Sequence, residues 1–348
     1  MKFLDLFAGI GGFRLGMEMA GHECVGHCEI DKFANKSYLA MHRPKEGEWY
    51  AADIRRISPG DLPEAEVYYF GFPCQAFSIA GKRGGFTDTR GTLFFEVMRL
   101  VKERKPNILF AENVKGLLSH DSGRTFGTII RAMDELGYDV EWQIFDSQHF
   151  GVPQHRERVF IVGHLRGTCG RKVFPITQDG RETDGIPKQT VNTITTRTGQ
   201  DNTVGTYVVE NKQYDQIKQI VGGSQGRRVY DPTGVSITPS SQGGGIGNTT
   251  GLYAVSVLTP DRINKRQNGR RFKESGEPMF TLTGQDRHGV MIKDYKIRKL
   301  TPKECFRLQG FPDEYFERAA SVNSDSQLYK QAGNSVTVNV IYEIARKL

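Results

Sequence analysis

Short apolar runs alternate with amphipathic stretches along the first 165 residues of the chain. The apolar runs predict buried strands at Lys2–Phe7, Glu23–Cys28, Val67–Phe70, Asn107–Glu112, Val140–Asp146 and Arg158–Gly163. The stretches between them have apolar positions at helical spacing and predict helices at Phe13–Ala20, Lys32–His42, Leu93–Arg104 and Thr125–Leu136. Because strands that alternate with helices form parallel sheets covered on both faces, the pattern predicts an α/β fold.

The pattern changes after Gly163. Residues 167–295 contain 19 of the 40 glycines, few helical patterns and many Thr, Gln and Asn residues. A short unit recurs there as Thr193-Ile194-Thr195, Ser236-Ile237-Thr238 and Thr281-Leu282-Thr283, each followed by a polar stretch and an apolar run. This recurrence indicates a degenerate repeat of β-hairpin character, although a coincidence among common strand residues would give the same pattern.

The alternating pattern returns near Leu300. Thr301 as cap, Pro302 in the first turn and Glu304 in the capping-box position predict the start of a helix. A terminal helix within residues 327–348 places three apolar residues on one face: Val336, Val340 and Ile344. The simplest architecture is a discontinuous α/β domain, residues 1–166 plus 296–348, with a β-rich domain of residues 167–295 inserted into it.

The net charge of +7 and the isoelectric point near 9.1 are compatible with a polyanionic partner but do not require one. Residues 167–295 carry 17 Lys and Arg against 12 Asp and Glu, so most of the excess of positive charge lies in the inserted region.

No run of 18 apolar residues is present, so no membrane span is predicted. Five cysteines are too few for a secreted disulfide scaffold, which favours a reducing cytoplasm. Cys24 and Cys28 are spaced like a metal pair, but no second pair follows, and no metal is predicted.

A glycine-rich turn, Gly9-Ile10-Gly11-Gly12, follows the first predicted strand. Such a turn lets a ligand approach the backbone at a helix N-terminus. Arg14 occupies the place of the third glycine of a dinucleotide fingerprint, which disfavours a nicotinamide cofactor. Glu29 after the second strand could bind a ribose, and Asp53 could meet an adenine edge. Each acid could equally be an ordinary helix cap; together with the turn they favour a nucleoside-containing ligand.

Cys74 lies in a loop after the strand Val67–Phe70, at the edge of the sheet where α/β folds place their chemistry. Most lone cysteines are small core residues. The loop position and the flanking Pro73 and Gln75 favour a nucleophile instead. The basic, glycine-bearing segment 79–92 that follows could close over a phosphate backbone, or it could be a solvated surface loop.

Two further motifs place charged side chains at strand ends. Glu112 ends the apolar run 107–110, and a carboxyl group in an apolar setting can donate a proton near neutrality. Arg156 and Arg158 alternate at the head of the strand Arg158–Gly163, so both could reach one anion or carbonyl. The plainer readings are that Glu112 is a cap and that one arginine pairs with Glu157.

Together these motifs resemble the cytosine-5 DNA methyltransferase family. Pro-Cys-Gln at 73–75, Glu-Asn-Val at 112–114 and Gln-x-Arg-x-Arg at 154–158 occur in the order and with the spacings of that family, as does Gln-Ala-Gly-Asn-Ser-Val at 331–336. The resemblance covers residues 1–165 and about 298–348 and is greatest to the compact bacterial restriction-modification enzymes. One difference is Ile30, where many relatives carry an aromatic residue that stacks on the adenine.

The resemblance implies a covalent mechanism on a cytosine flipped out of duplex DNA. Cys74 would add to ring carbon 6, and Glu112 would supply a proton at nitrogen 3. Arg158 would hold the carbonyl oxygen of the base, with Arg156 steadying the site beside it. The backbone carbonyl of Phe72 would accept from the exocyclic amine.

The resemblance also implies a Rossmann-like, discontinuous S-adenosylmethionine-dependent methyltransferase fold with a target-recognition domain at residues 167–295. The implied cofactor pocket consists of Phe7, Gly9, Ile10, Gly11, Gly12, Glu29, Ile30, Asp53, Ile54, Pro73, Leu93, Asn334 and Val336. We expect DNA contacts from Ser78, Lys82, Arg83, Arg90, Arg270 and Arg271.

No metal is needed, because the sulfonium is already activated. The expected setting is the cytoplasm of a bacterium, with a bacterial or phage gene. The expected enzyme is a monomer that forms no stable complex with a companion restriction endonuclease.

Three alternatives remain at this point. An RNA-modifying relative shares the catalytic motifs, although the long basic insert favours duplex DNA. A catalytically silent DNA-binding module is disfavoured by the intact Cys74, Glu112 and Arg158. A Rossmann oxidoreductase is disfavoured by Arg14 and by the lack of a hydride-transfer constellation.

Overall fold

The computed structural model describes residues 1–72, 92–168, 172–176, 192–194, 219–221, 229–230, 252–253, 255–258, 272–273, 277–284, 288–292 and 296–348. The chain divides into two compact units. The first contains Met1–Phe145, Glu157–Val209 and Val338–Leu348, and the second contains Asp146–Arg156 and Glu210–Thr337. These units are defined by packing. The predicted target-recognition domain at residues 167–295 is defined by function, so it stays a prediction.

An eight-stranded sheet forms the first unit. Its strands are β1 (Lys2–Leu6), β2 (Glu23–Cys28), β3 (Trp49–Ala51), β4 (Val67–Gly71), β5 (Ile108–Val114), β6 (Tyr138–Asp146), β7 (Glu157–Leu165) and β8 (Asn192–Ile194). They are arranged in the order β3-β2-β1-β4-β5-β7-β6-β8. The first five strands in that order are parallel. The predicted α/β fold is therefore confirmed.

The prediction of a parallel sheet does not hold for the strands beyond β5. Strand β7 runs antiparallel to β5, and β8 runs antiparallel to β6. Only residues 147–156 separate β6 from β7, which is too short for the crossover that a parallel neighbour would need. A third strand before Asp53 was expected without bounds, and β3 (Trp49–Ala51) occupies that place; three residues carry too little pattern for their limits to be predicted.

In the described part of the first unit, five α-helices are present: α1 (Gly12–Met19), α2 (Lys32–His42), α3 (Thr92–Arg104), α4 (Arg124–Glu135) and α8 (Val338–Ala345). Four of them match the predicted helices to within a residue or two at each end. The predicted terminal helix begins only at Val338, so Val336 precedes it, whereas Val340 and Ile344 are buried. Gly16 lets α1 and α8 approach closely, because a Cβ there would lie 2.6 Å from Ile341 Cβ.

The two faces of the sheet have different cores. Leu4, Leu6 and Phe70 belong to a large hydrophobic cluster of aliphatic and aromatic side chains that includes residues of α3 and α4. On the other face, Phe13 of α1 stacks on Tyr69 of β4 with ring centroids 3.3 Å apart. Within the described ranges, every helix is too short or too polar to cross a membrane.

The described residues of the second unit form short strands and three α-helices. Its strands are β9 (Gln219–Val221), β10 (Val229–Tyr230), β11 (Leu252–Tyr253), β12 (Val255–Leu258), β13 (His288–Ile292) and β14 (Lys296–Lys299), in two three-stranded sheets. Its helices are α5 (Pro302–Leu308), α6 (Asp313–Ala320) and α7 (Asp325–Asn334). The predicted start of α5 is confirmed, since Thr301 and Glu304 form a reciprocal capping box.

The proposed three-copy repeat is only partly visible. Ile194 lies in β8, Leu282 lies outside the strands, and Ser236-Ile237-Thr238 falls outside the described residues. The hairpin repeat therefore stays a prediction.

Candidate active site

Glu112 and Arg158 meet at the edge of the central sheet. Glu112 lies near the carboxyl end of β5, and Arg158 is the register partner of Val114 on the adjacent antiparallel strand β7. Arg158 Nε lies 3.1 Å from Glu112 Oε1, and the two side chains are only 17% and 12% exposed. Arg158 Nη1 also donates to the carbonyl of Glu157 at 2.8 Å. A carboxylate and a guanidinium presented together in this way can bind a ring that has a carbonyl beside a ring nitrogen.

The neighbouring strand β4 leads toward the predicted nucleophile. Gly71, its last residue, is the register partner of Glu112. A Cβ on Gly71 would lie 3.5 Å from Glu112 Oε2, so the absence of a side chain leaves room beside the carboxyl group. Cys74 follows three residues later in the sequence but lies outside the described residues. Pro73, Ser78, Lys82, Arg83, Arg90, Arg270 and Arg271 also lie outside them.

Asn113 was not singled out from the sequence, yet it fixes the Phe72 carbonyl. Its Nδ2 donates to that carbonyl at 2.8 Å, and its Oδ1 accepts from the backbone N–H of Val114 at 2.9 Å. Asn113 is buried, where an amide needs such partners. A signal was present in the sequence, since an amide between Glu112 and Val114 at the end of an apolar run must find hydrogen-bond partners.

Arg156 has a different environment from the one predicted. It is buried in the second unit, where Nη1 donates to the carbonyl of Leu282 at 2.8 Å. Its Nη2 donates to the carbonyls of Ser335 at 2.6 Å and Gly333 at 3.3 Å. The guanidinium therefore joins segment 281–284 to the end of α7. Its membership of the catalytic set stays a prediction.

The glycine-rich turn between β1 and α1 is held by backbone and side-chain bonds. Phe7, Gly9 and Gly11 all have positive φ angles, of 62°, 56° and 76°. Glu29 accepts from the N–H of Gly9 through Oε2 and from that of Asp31 through Oε1, each at 2.7 Å. Burial raises the pKa of the Glu29 carboxyl. Nothing lies within 4 Å of a Cβ built on Gly9, so the turn is open at that residue. Gly12 begins α1.

The other predicted cofactor residues differ in exposure. Ile30 is 66% exposed, so it offers an apolar surface next to Glu29. Asp53 accepts from Arg55 Nε and Nη2, and this pairing lowers the pKa of its carboxyl. Ile54 is buried in the core, and Leu93 packs against that core. In the second unit, Asn334 ends α7 and Val336 follows it.

Arg14, which stands at the place of the third glycine of a dinucleotide fingerprint, is held by ion pairs and hydrogen bonds. Its guanidinium binds Glu48 in a bidentate arrangement, with Nη1–Oε1 at 2.6 Å and Nη2–Oε2 at 3.0 Å. It also donates to Glu18 at 2.8 Å and to Tyr38 Oη at 3.2 Å. Arg14 therefore ties α1 to α2 and to the segment before β3.

Cys24 and Cys28 are core thiols. Both are buried, and burial raises the pKa of each to about 12. Within the described residues, no group of three or more His, Cys, Asp or Glu side chains could hold a metal ion.

Comparison with known proteins identifies the family. The family model described as C-5 cytosine-specific DNA methylase matches residues 1–348. The chain belongs to this family. It is an enzyme that methylates carbon 5 of cytosine in DNA. The predicted family is thus confirmed, and the oxidoreductase and silent-module alternatives are wrong.

Relatives in this family match the chain along nearly its whole length. The orphan methyltransferase M.SPRI of Bacillus phage SPR is 36% identical over 427 residues and is aligned over 100% of this chain and 97% of its own. The type II methyltransferase M.HhaI of Haemophilus parahaemolyticus is 37% identical over 361 residues, and the alignment covers 99% of this chain and 93% of its own.

Solved structures support the fold. The S. pombe Dnmt2 methyltransferase has a TM-score of 0.58 at 17% identity and covers 99% of this chain and 97% of its own. The Entamoeba histolytica methyltransferase EhMeth has a TM-score of 0.54 at 18% identity, and the match covers 99% of this chain and 96% of its own. At these identities the likeness concerns the methyltransferase fold alone.

Proposed function

We propose that Cys74, Glu112 and Arg158 methylate a cytosine flipped out of double-stranded DNA through a covalent Cys74 adduct. The observation that carries this proposal is the Glu112–Arg158 pair, with Oε1 and Nε 3.1 Å apart. Glu112 lies on β5, next to the strand β4 that leads to Cys74, and Arg158 lies on β7, the other neighbour of β5. The two side chains match the nitrogen 3 and carbonyl edge of cytosine. A base reaches such a site only after it leaves the duplex stack.

The chemistry follows from this placement. The Cys74 thiolate forms a bond to ring carbon 6 while Glu112 gives a proton to nitrogen 3, which makes carbon 5 electron-rich. Carbon 5 would then form a bond to the methyl carbon as the methyl–sulfur bond of the sulfonium breaks, which leaves a neutral thioether. Its proton leaves to water, the sulfur–carbon bond breaks with its electron pair returning to Cys74, and nitrogen 3 returns its proton to Glu112. Arg158 holds the carbonyl oxygen of the base, and the Phe72 carbonyl, fixed by Asn113, accepts from the exocyclic amine.

The glycine-rich turn fits S-adenosylmethionine. The open backbone at Gly9, the exposed apolar side chain of Ile30 and the carboxyl group of Glu29 suit a nucleoside with a ribose diol. When bound, S-adenosylmethionine supplies an electrophilic methyl group on its sulfonium. We assign the pocket to Phe7, Gly9, Ile10, Gly11, Gly12, Glu29, Ile30, Asp53, Ile54, Pro73, Leu93, Asn334 and Val336. Arg156 is a positioning residue in this scheme, because its guanidinium binds backbone carbonyls next to Asn334.

Target recognition is assigned to the inserted domain, residues 167–295. Its excess of basic side chains supports contacts with the DNA backbone, including those from Arg270 and Arg271. Ser78, Lys82, Arg83 and Arg90 would contact DNA from the segment after Cys74. Several relatives are named orphan methyltransferases of Bacillus phages, which supports action without a stable endonuclease complex. We further propose that the enzyme is a monomer in a bacterial cytoplasm.

Covalent trapping tests the proposal. The purified chain is incubated with S-adenosylmethionine and a duplex in which 5-fluorocytosine replaces cytosine, because fluorine cannot leave and the adduct therefore persists. We expect a denaturation-resistant adduct at Cys74, and its loss in Cys74→Ser with sequence-specific DNA binding retained. An adduct at another residue, or near-normal turnover by the serine variant, would refute the mechanism. Transfer to tRNA alone would refute the duplex substrate.

A further inference from the structure

His42 forms a hydrogen bond to the glycine-rich turn. It is the last residue of α2, and its Nε2 donates to the carbonyl of Ile10 at 3.0 Å. The N–H of the same peptide group, on Gly11, donates to the carbonyl of Ala8 at 2.8 Å. Both polar groups of the Ile10–Gly11 peptide are therefore bonded, and this peptide cannot rotate without breaking two hydrogen bonds.

Close packing restricts the same peptide further. A Cβ on Gly11 would lie 2.2 Å from His42 Nε2 and 2.9 Å from Tyr38 Cε2. Gly11 also has a φ of 76°, which favours glycine. The face of α2 that carries Tyr38 and His42 thus covers one side of the turn. The turn is open at Gly9, where no atom lies within 4 Å of a built Cβ.

The helix that carries His42 is itself held in place. Tyr38, one turn earlier, is fully buried and accepts a hydrogen bond from Arg14 at 3.2 Å. Arg14 is bonded in turn to Glu48. A side chain that protrudes from such a supported helix can fix the geometry of a binding loop more tightly than one on a free loop.

We infer that His42 is a positioning residue for the cofactor. Its Nε2 hydrogen holds the Ile10–Gly11 peptide in the orientation that leaves the open side of the turn for S-adenosylmethionine. The turn then loses less conformational freedom on binding. This inference rests on the proposed function of the turn, and it assigns His42 an effect on cofactor affinity and none on the methyl-transfer step.

Three variants of the full chain test the inference: His42→Gln, His42→Asn and His42→Leu. The amide nitrogen of glutamine lies about where Nε2 of histidine does, whereas that of asparagine lies about where Nδ1 does. We measure the Kd for S-adenosylmethionine by titration calorimetry, and the single-turnover rate on duplex DNA at saturating cofactor. Loss of one hydrogen bond should raise the Kd roughly three- to tenfold in His42→Leu and His42→Asn. His42→Gln should stay near the wild-type Kd, and all three variants should keep the wild-type single-turnover rate.

Several results would overturn the inference. Equal Kd values for His42→Gln and His42→Asn would show that the Nε2 bond is unimportant, as would an unchanged Kd in His42→Leu. A fall in the single-turnover rate at saturating cofactor would place His42 in the chemical step instead. If Gly11→Ala and Glu29→Ala weaken binding while the His42 variants do not, the pocket stands and only the role of His42 fails. If those two variants also bind normally, the proposed cofactor pocket itself is wrong.

Discussion

The Nε of Arg158 lies 3.1 Å from the Oε1 of Glu112, across two adjacent antiparallel strands. The sequence places these residues 46 positions apart, and only the antiparallel pairing of β5 with β7 brings them together. Because both side chains are mostly buried, their interaction is screened less by water than that of a surface pair. Arg158 therefore orients Glu112.

Replacing Glu112 with glutamine should slow methyl transfer without affecting the cofactor. The amide keeps the shape of the side chain but is a far weaker proton donor to ring nitrogen 3. We expect the single-turnover rate to fall by roughly 10²-fold or more, with the Kd for S-adenosylmethionine largely unchanged. Rapid-quench transfer of a labelled methyl group and titration calorimetry would measure the two quantities. A collapse of cofactor binding would contradict the role assigned to Glu112.

Asn113 should be required for stability and for the rate. Asn113→Ala leaves the buried Phe72 carbonyl without its side-chain donor, at a cost of about 1–3 kcal/mol in the free energy of unfolding. Asn113→Asp is a matched control that keeps the size of the side chain but has no amide donor, so it should be impaired as well. Urea unfolding and single-turnover rates would test both variants. Wild-type behaviour of Asn113→Asp would show that the bond to Phe72 is dispensable.

The buried cysteines should resist alkylation. Burial raises the pKa of Cys24, Cys28 and Cys305 to about 12. At pH 8 only about one thiol in 10⁴ would be ionised at each site, and the thiolate is the reactive form. Iodoacetamide should therefore leave these three residues unlabelled in the folded protein, as peptide mapping by mass spectrometry would show. The same reagent in denaturant should label them all, whereas rapid labelling of Cys28 in the native state would be inconsistent with its burial.

The sequence predicts the regular parts of the fold because burial imposes a pattern on them. Strands β1, β2, β4 and β5 and helices α1 to α4 are long enough for their apolar periodicity to appear. The direction of β7 is not encoded in this way, since a buried strand has the same composition whichever way it runs. It follows instead from the short connection 147–156, whose length does not suit a crossover.

Some residues of the candidate active site can be predicted from the sequence, and others cannot. Glu112 and Arg158 could be found because each stands out as a charged residue at the end of an apolar run. His42 could not be found from the sequence, because its proposed role depends on a hydrogen bond to Ile10, which lies 32 residues earlier in the chain. Arg156 resembles Arg158 in the sequence, yet its bonds go to three backbone carbonyls in the second unit. Alternation along a strand therefore does not predict that two arginines share the same surroundings.

The Arg14–Glu48 pair should contribute strongly to stability. The two side chains are 6% and 4% exposed, so Glu48→Gln would remove the bidentate partner of a buried guanidinium and leave it with Glu18 as its carboxylate partner. We expect the free energy of unfolding to fall by about 1.5–3 kcal/mol. The double variant Arg14→Met, Glu48→Leu should lose less than the sum of the single variants, since neither charge is then left alone. The exposed pair between Lys45 and Glu23 serves as the control, and Glu23→Gln should change the unfolding curve little. Equal losses for the two pairs would contradict this account.

Arg156 provides the test that separates positioning from direct catalysis. Its guanidinium donates to the carbonyls of Leu282, Gly333 and Ser335, and the single ammonium of lysine cannot reach three such acceptors in the same geometry. Arg156→Lys should therefore lower the free energy of unfolding by roughly 2–3 kcal/mol, and the rate should fall together with the stability. Gly333→Ala should act in the same direction, because its Cβ would lie 2.2 Å from the backbone of Thr283 and displace the same segment. Thermal unfolding and single-turnover rates, measured on both variants, would decide the question. If Arg156→Lys loses activity while its melting temperature is unchanged, the guanidinium acts on the substrate directly, and its bonds to the three carbonyls are not its main role.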